Sequence, residues 1–334
     1  CLTAHFKGVS MKKFALLLAI LVLAGSLWNL RIAGMKEAPI DYKSEMVQLI
    51  SNLRAYSKSK KQDFLLLGNG GVNIYYAADA ADKESVAAML SNVDGIMTES
   101  LFYGWDMEEN KPTPKEESAW TLQALSAPRE ALLPIFNIDY CNSKAVIAKA
   151  GKKNQQQEIT AFMAADYSLT TIPDTAIAHE NLQPVNDLKA VKNFLILLNP
   201  EKFPDKESYL KALQQNNYDL LIIDSEYDGK VLEPADVAGL QQKADGSRRL
   251  VIAYLSIGEA EIYRSYWQAS WNEKKPAWIA EANSDWSDNY KVKYWTQEWQ
   301  DILYGKRDSC LDKIITAGFD GAFLDVIDAF EYYQ

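Results

Sequence analysis

The sequence predicts an α/β chain folded as a (β/α)8 TIM barrel, and three observations carry that expectation. Short apolar runs alternate with helix-patterned stretches from residue 42 to the end, the apolar runs number eight, and acidic residues recur where the runs stop. A strand in a parallel sheet is covered on both faces, so it reads as a continuous apolar run rather than an alternation. Such runs alternating with helices are the sequence form of repeated βα units, and eight units are what a closed barrel needs. With 334 residues, 48% of them hydrophobic, the chain can bury one large core.

In chain order, the first segment stands apart. Lys12 and Lys13 precede an eleven-residue apolar run from Phe14 to Ala24, closed by Gly25 and Ser26. The run is too short for a comfortable membrane span. Its charged, apolar and small-residue parts are those of a secretory signal, with cleavage expected after Ala24. The expectation is a secreted or periplasmic protein with no stable membrane span in its mature form; the alternative is an N-terminal membrane anchor. The ten residues before Met11 lack an initiator and read as upstream sequence. Residues 1–40 are therefore assigned to a leader and 41–334 to a single barrel.

The helical pattern "YKSEMVQLISNLRAYSK" at 42–58 leads into the first strand, "FLLLG" at 64–68. "GIMT" at 95–98 and "LPIFNID" at 133–139 follow, then a weaker strand inside "FMAADYSLTT" at 162–171. "FLILL" at 194–198, the helix "ESYLKALQQ" at 207–215, and "YDLLIID" at 218–224 come next. "LVIAYLS" at 250–256 and "GAFLD" at 321–325 complete the set. The long insertion between the last two strands holds Trp267, Trp271, Trp278, Trp286, Trp295 and Trp299, six of the nine tryptophans. Flat aromatic faces with polar edges suit sugar rings; the alternative is a lid that packs on itself over the barrel mouth.

In a (β/α)8 barrel the active site forms where strands end and the following loops begin. Those positions hold Asn69, Glu99, Asp139 with Tyr140, Asp224 with Glu226, Glu259 with Glu261, and Asp325 with Asp328. One acid at a strand end is more often a helix cap or a loop charge, but five strands share the feature and a sixth ends in Asn69. Two histidines, His5 and His179, and three scattered cysteines, Cys1, Cys141 and Cys310, supply neither a structural zinc site nor a Ser-His-Asp triad. Carboxylates must carry any catalysis. Cys310, in a helical pattern, reads as a small buried hydrophobe. A net charge of −10 argues against a nucleic-acid surface and favours cationic partners.

The blocks "VIAYLSIGEAEIYRSYW", "DNYKVKYWTQEWQ", "AGFDGAFLDVIDAFEYY", "VDGIMTESLFYG" and "NIDYC" resemble glycoside hydrolase family 114, the endo-α-1,4-polygalactosaminidase group. An older label in that group, cysteinyl-tRNA synthetase-related, has no support here, since HIGH-type and KMSKS-type signatures are absent from the sequence. The resemblance implies a polysaccharide substrate, an α-1,4-linked galactosamine polymer that is partly deacetylated and so cationic, and no metal or organic cofactor. It implies Asp325 as nucleophile and Glu99 as general acid/base. Burial near Leu101 and Phe102 and the charge of the second carboxylate are the simplest means for Glu99 to hold its proton. It assigns Asn69, Asp139, Tyr140, Asp224, Glu259, Glu261, Arg264, Asp328 and Trp295 to substrate binding. Glu261 and Arg264, at i and i+3, could equally form a rim ion pair, and Trp299, one turn beyond Trp295, reads as helix packing.

The blocks stand in an order different from the family's, with the second half first. The chain reads as circularly permuted, cut between the family's fourth strand and fourth helix, with His179 to Val191 joining the old ends; a wrapped gene assembly would give the same order. Permutation predicts that the strand at 321–325 pairs with that at 64–68. It also predicts loose ends, at Glu331 to Gln334 and before Asp41. A non-catalytic carbohydrate-binding barrel, accessory to exopolysaccharide export, is the alternative function. A hydrolase of another amino-sugar or uronic polymer is a third reading.

Overall fold

The computed structural model describes residues 39–334. The expected signal at 11–24 lies outside them. From Tyr42 onward, eight parallel strands form one sheet: β1 (Leu65–Asn69), β2 (Gly95–Glu99), β3 (Ile135–Tyr140), β4 (Thr160–Ala164), β5 (Phe194–Leu197), β6 (Leu220–Ile223), β7 (Leu250–Ser256) and β8 (Gly321–Asp325). Each falls within a residue or two of an apolar run, except that β4 precedes most of the segment expected to hold it. The hydrogen-bonded order is β4-β3-β2-β1-β8-β7-β6-β5, a nearly closed (β/α)8 barrel. The expected pairing of β8 with β1 is present, in register from Leu65 with Gly321 to Gly68 with Leu324. Among the described residues no ladder joins β4 to β5, which leaves one seam.

The strands form here because both faces have apolar cover. Phe136, Phe194, Ile222 and Phe323 are all buried in the barrel. Outside, the helix Tyr42–Lys60 buries Met46, Leu49, Ile50 and Leu53. That spacing puts an apolar stripe on one helical face. At the N-terminal end of β6, Asp219 and Lys243 form a wholly buried ion pair at 2.7 Å. Lys243 Nζ also donates to the Gln183 carbonyl at 3.0 Å, and the Lys192 N–H donates to Asp219 at 2.8 Å. Beside it the guanidinium of Arg249, fully buried, donates to the carbonyls of Leu213, Leu240 and Gln242. It thereby satisfies acceptors that two helices leave open at their C-terminal ends.

The insertion after β7 is more ordered than its sequence suggested. Glu259–Glu261, Asn289–Val292 and Ile279–Ala282 form a three-stranded antiparallel sheet in that order. Strands of three or four residues are too short to register as an alternating pattern. Trp267, Trp271, Trp278 and Trp299 pack edge to face or tilted in series, with ring centres 5.2–5.4 Å apart. For these four the self-packed lid is the right reading. Trp299 is buried on the helix Gln297–Leu303, as expected, and its Nε1–H donates to the Ile257 carbonyl at 2.9 Å.

The C-terminal end departs from expectation. Residues Ile327–Tyr333 form a 3-10 helix, and the Tyr333 ring sits 4.8 Å from that of Trp295 and 5.4 Å from that of Tyr42. Aromatic packing anchors a segment expected to be loose. Cys310 opens the helix Cys310–Thr316 and is partly rather than fully buried. No helix among the described residues is long and apolar enough to cross a membrane.

Candidate active site

The strand ends converge on a cleft of about 760 Å³. Three adjacent strands supply its centre: β1 brings Asn69, β2 brings Glu99 and β8 brings Asp325. Asn69 Nδ2 donates to Glu99 Oε1 and to Asp325 Oδ1, at 2.7 Å each. Those two carboxyl oxygens can therefore be no more than twice that distance, about 5.4 Å, apart. Although 226 positions separate them in sequence, the two acids share one amide. Tyr140 at the end of β3 donates its hydroxyl to the other oxygen of Glu99.

The backbone turns the same way after each of these residues. Gly70 has φ 76°, Ser100 φ 52° and Val326 φ 60°, all left-handed. For a β-branched residue such as Val326 this is a genuine outlier, and strained residues of that kind gather at functional sites. Gly258 makes room for it. A Cβ at that position would lie 2.4 Å from the Val326 carbonyl oxygen. The turn lifts the chain out of the barrel just past Asp325 and brings Asp328 back to the same cleft.

The electrostatics separate the acids. Burial, then the charge of Glu99, pushes the Asp325 carboxyl up to about 6, against hydrogen bonds from Asn69 and Tyr254 that favour its ionised form. Burial, then the charges of Asp325, Glu331 and Glu99, pushes Asp328 up to about 7. Glu99 is otherwise placed than expected. Leu101 and Phe102 are buried, but Glu99 itself is exposed to the cleft.

A second cluster lines the side formed by β6 and β7. Arg264 Nη1 donates to both oxygens of Asp224 at 2.7 Å, and its Nε donates to Glu261 at 2.5 Å. The guanidinium lies 5.3 Å from the centre of the Tyr254 ring and 5.1 Å from that of Tyr263. The ion pair read from i to i+3 spacing is thus part of a triad that also faces the cleft. The Tyr254 hydroxyl lies 3.2 Å from Glu261 and also faces Asp325, so its single proton is available to either acid and links this triad to the Asp325 side.

Three residues assigned to substrate are placed differently. Asp139 is fully buried and does not line the cleft. It accepts from the Phe102 and Tyr103 N–H groups at 2.9 and 3.0 Å and from Asn154 Nδ2 at 2.7 Å, which fastens the loop following Glu99. Glu259 reaches the cleft wall but is buried, accepting from Asn283 at 2.8 Å, Asn289 at 3.2 Å and Tyr332 at 3.1 Å. It braces the insertion sheet. Trp295 packs between Tyr42, Tyr294 and Tyr333, with ring centres 4.8–5.1 Å away, and is not part of the cleft lining. The tryptophan at the cleft is Trp286, 44% exposed. Its turn is held by Asn283 Oδ1, which accepts the Asp285 N–H at 2.9 Å. The signal that could have singled it out is its neighbourhood, "NSDWSDN", whose turn-forming residues put a tryptophan at a loop tip rather than on a helix face.

Residues 175–334 match the family model described as glycoside-hydrolase family GH114. This segment belongs to GH114. The GH114 match takes in Asp224, Glu259, Glu261, Arg264, Asp325 and Asp328, while Asn69, Glu99 and Tyr140 come from the part of the chain before it. The fold therefore brings Glu99 of β2 beside Asp325 of the matched segment. An uncharacterized protein of Methanocaldococcus jannaschii is 40% identical over 124 residues, 37% of this chain and 34% of that protein. An uncharacterized protein of Deinococcus radiodurans is 39% identical over 128 residues, 38% of this chain and 39% of its own. One of Thermotoga maritima is 38% identical over 122 residues, 36% of each. The chain spans less than two-fifths of the length of each of these relatives.

Proposed function

We propose that the chain is a glycoside hydrolase that works through Asp325 and Glu99 with retention of anomeric configuration. The observation that carries this reading is the carboxyl pair bridged by Asn69, with facing oxygens no more than about 5.4 Å apart. Retaining glycosidases place their carboxyl groups ~5–5.5 Å apart, whereas inverting ones need ~6.5–9.5 Å to admit a water. Asp325, ionised above about pH 6 and steadied by Asn69 and Tyr254, attacks the anomeric carbon. In the form that reacts, the one proton of the coupled pair sits on Glu99, which is open to the cleft and gives it to the departing glycosidic oxygen. A water deprotonated by Glu99 then releases the sugar from the Asp325 ester, which restores both groups.

The substrate proposed is an α-1,4-linked galactosamine polymer, cationic where deacetylated. A net charge of −10 and a cleft that also holds Asp328 and the Asp224–Arg264–Glu261 triad, with two acids to one cation, support it. Such a field draws a polycation towards the acids. Trp286 takes the stacking role first given to Trp295. On the sequence of residues 11–26 the protein is exported, and residues 41–334 act as one barrel. The block order is read as a circular permutation, and the seam between β4 and β5, the last and first strands in the family's order, supports that reading.

Product analysis on galactosamine oligosaccharides of defined length tests the reaction. Glu99→Gln and Asp325→Asn should each lower kcat by at least about 100-fold, the scale of a positioned acid or base, while binding persists. Because the nucleophile must be ionised, kcat/KM should fall as pH drops through about 6. A folded parent that binds the polymer without cleaving it would leave the carbohydrate-binding barrel as the function.

A further inference from the structure

We infer that Asn69 is a positioning residue, which sets the spacing of Glu99 and Asp325 and keeps both facing it as hydrogen-bond acceptors, rather than a substrate ligand. The inference rests on the two-carboxylate reading above. Its first support is geometric. Asn69 ends β1, the strand that pairs with β2 on one side and β8 on the other, so one side chain stands between the two that carry the acids. Both hydrogen bonds from its Nδ2 are spent on those acids, at 2.7 Å. The residue is only 3% exposed, which leaves little of it for a sugar to touch.

The second support is the other end of the amide. Asn69 Oδ1 is buried and finds no hydrogen-bond partner among the described residues. A buried unpaired acceptor is rare in folded proteins and calls for a reason. Turning the amide over would aim that oxygen at two carboxylates, a worse arrangement, and would forfeit both donated bonds. The orphaned oxygen is the consequence of committing the NH2 group to the acid pair. Such an amide does two things in a glycosidase. It fixes the gap between nucleophile and acid/base, where an error of about 1 Å costs on the order of 100-fold in rate, and it favours the ionised form of Asp325.

Asn69→Ala and Asn69→Asp separate positioning from the other roles, assayed on the galactosamine polymer beside Asp325→Asn and Glu99→Gln. The Asp variant keeps the shape and replaces the donor with an acceptor. The expected result is a kcat lower by about 100-fold with KM within about threefold, because the residue touches the acids and not the sugar. The acid limb of kcat/KM in Asn69→Ala should move to higher pH by roughly one unit, because a bond to the ionised nucleophile is gone. A rise in KM alone would make Asn69 a substrate ligand and overturn the inference. So would a folded variant with near-parental kcat and an unmoved acid limb, and so would failure of both variants to fold, which would make the residue structural. If Asp325→Asn and Glu99→Gln retain activity, the two-carboxylate reading itself fails, and that result is distinct from any of the others.

Discussion

Asp328 offers a test in which the site should cost the protein stability. Its carboxyl, pushed up to about 7 first by burial and then by the charges of Asp325, Glu331 and Glu99, has an ordinary value near 3.8. Between those two values the folded chain holds a proton that the unfolded chain has released. Stability therefore falls as pH rises through that window, and the loss is complete above it. A difference of roughly three pH units at about 1.4 kcal/mol each sets a ceiling of about 4 kcal/mol, and water in the open cleft should reduce this to about 2 kcal/mol. Asp328→Asn keeps the shape and removes the charge. At about 2 °C per kcal/mol for a chain of this size, its Tm at pH 8 should lie about 4 °C above the parent's. The advantage should shrink as pH is lowered and vanish near pH 4. Thermal melts of both proteins across that range provide the measurement. A gain independent of pH, or a loss of stability at pH 8, would refute the account of Asp328 as a buried charge among like charges.

Trp286→Ala should weaken polymer binding by about 1–3 kcal/mol, the scale of covering a large apolar side chain, and leave Tm almost unchanged because the ring is exposed at a turn. Trp295→Ala should do the opposite, lowering Tm through loss of its contacts with Tyr42 and Tyr333 while the affinity of the folded protein holds; titration calorimetry with melts reads both. Lys243→Met leaves Asp219 buried without its cation and should cost about 3–5 kcal/mol in denaturant titration. Restoration of most of that loss by the further change Asp219→Leu would show that the penalty belongs to the stranded charge.

The barrel was legible because burial on both faces leaves a mark that local sequence cannot hide. "FLILL" and "LVIAYLS" have no polar alternation and fit only a strand covered on each side. Glu99 and Asp325 were legible for a related reason, each being the first acid after such a run. Sequence was silent on direction and depth. Asp139 follows its strand just as Glu99 does, yet it is turned inward to bind two backbone N–H groups. Nothing in "NIDYC" distinguishes the two cases. The tryptophans pose the same difficulty, because an indole that packs on tyrosines and one that faces a cleft share composition, and only the turn around Trp286 separates them. The insertion sheet went unread because pairing between strands of three or four residues is set by partners far along the chain.

The left-handed residues after Asn69, Glu99 and Asp325 have a consequence for how such a chain can change. Each places a sharp corner immediately beyond a side chain at the centre of the cleft, so the position of that side chain is fixed by its strand and not by the loop that follows. Trp286 and the sheet braced by Glu259 belong to the insertion between β7 and β8 and share none of those corners, on a surface the barrel does not need for closure. Length and composition can drift there while the three strand ends stay in register. Under the proposed function, substrate preference and bond-breaking geometry are open to selection separately, and swapping the 262–292 segment between relatives is expected to transfer the choice of polymer without disturbing the distance between the two acids.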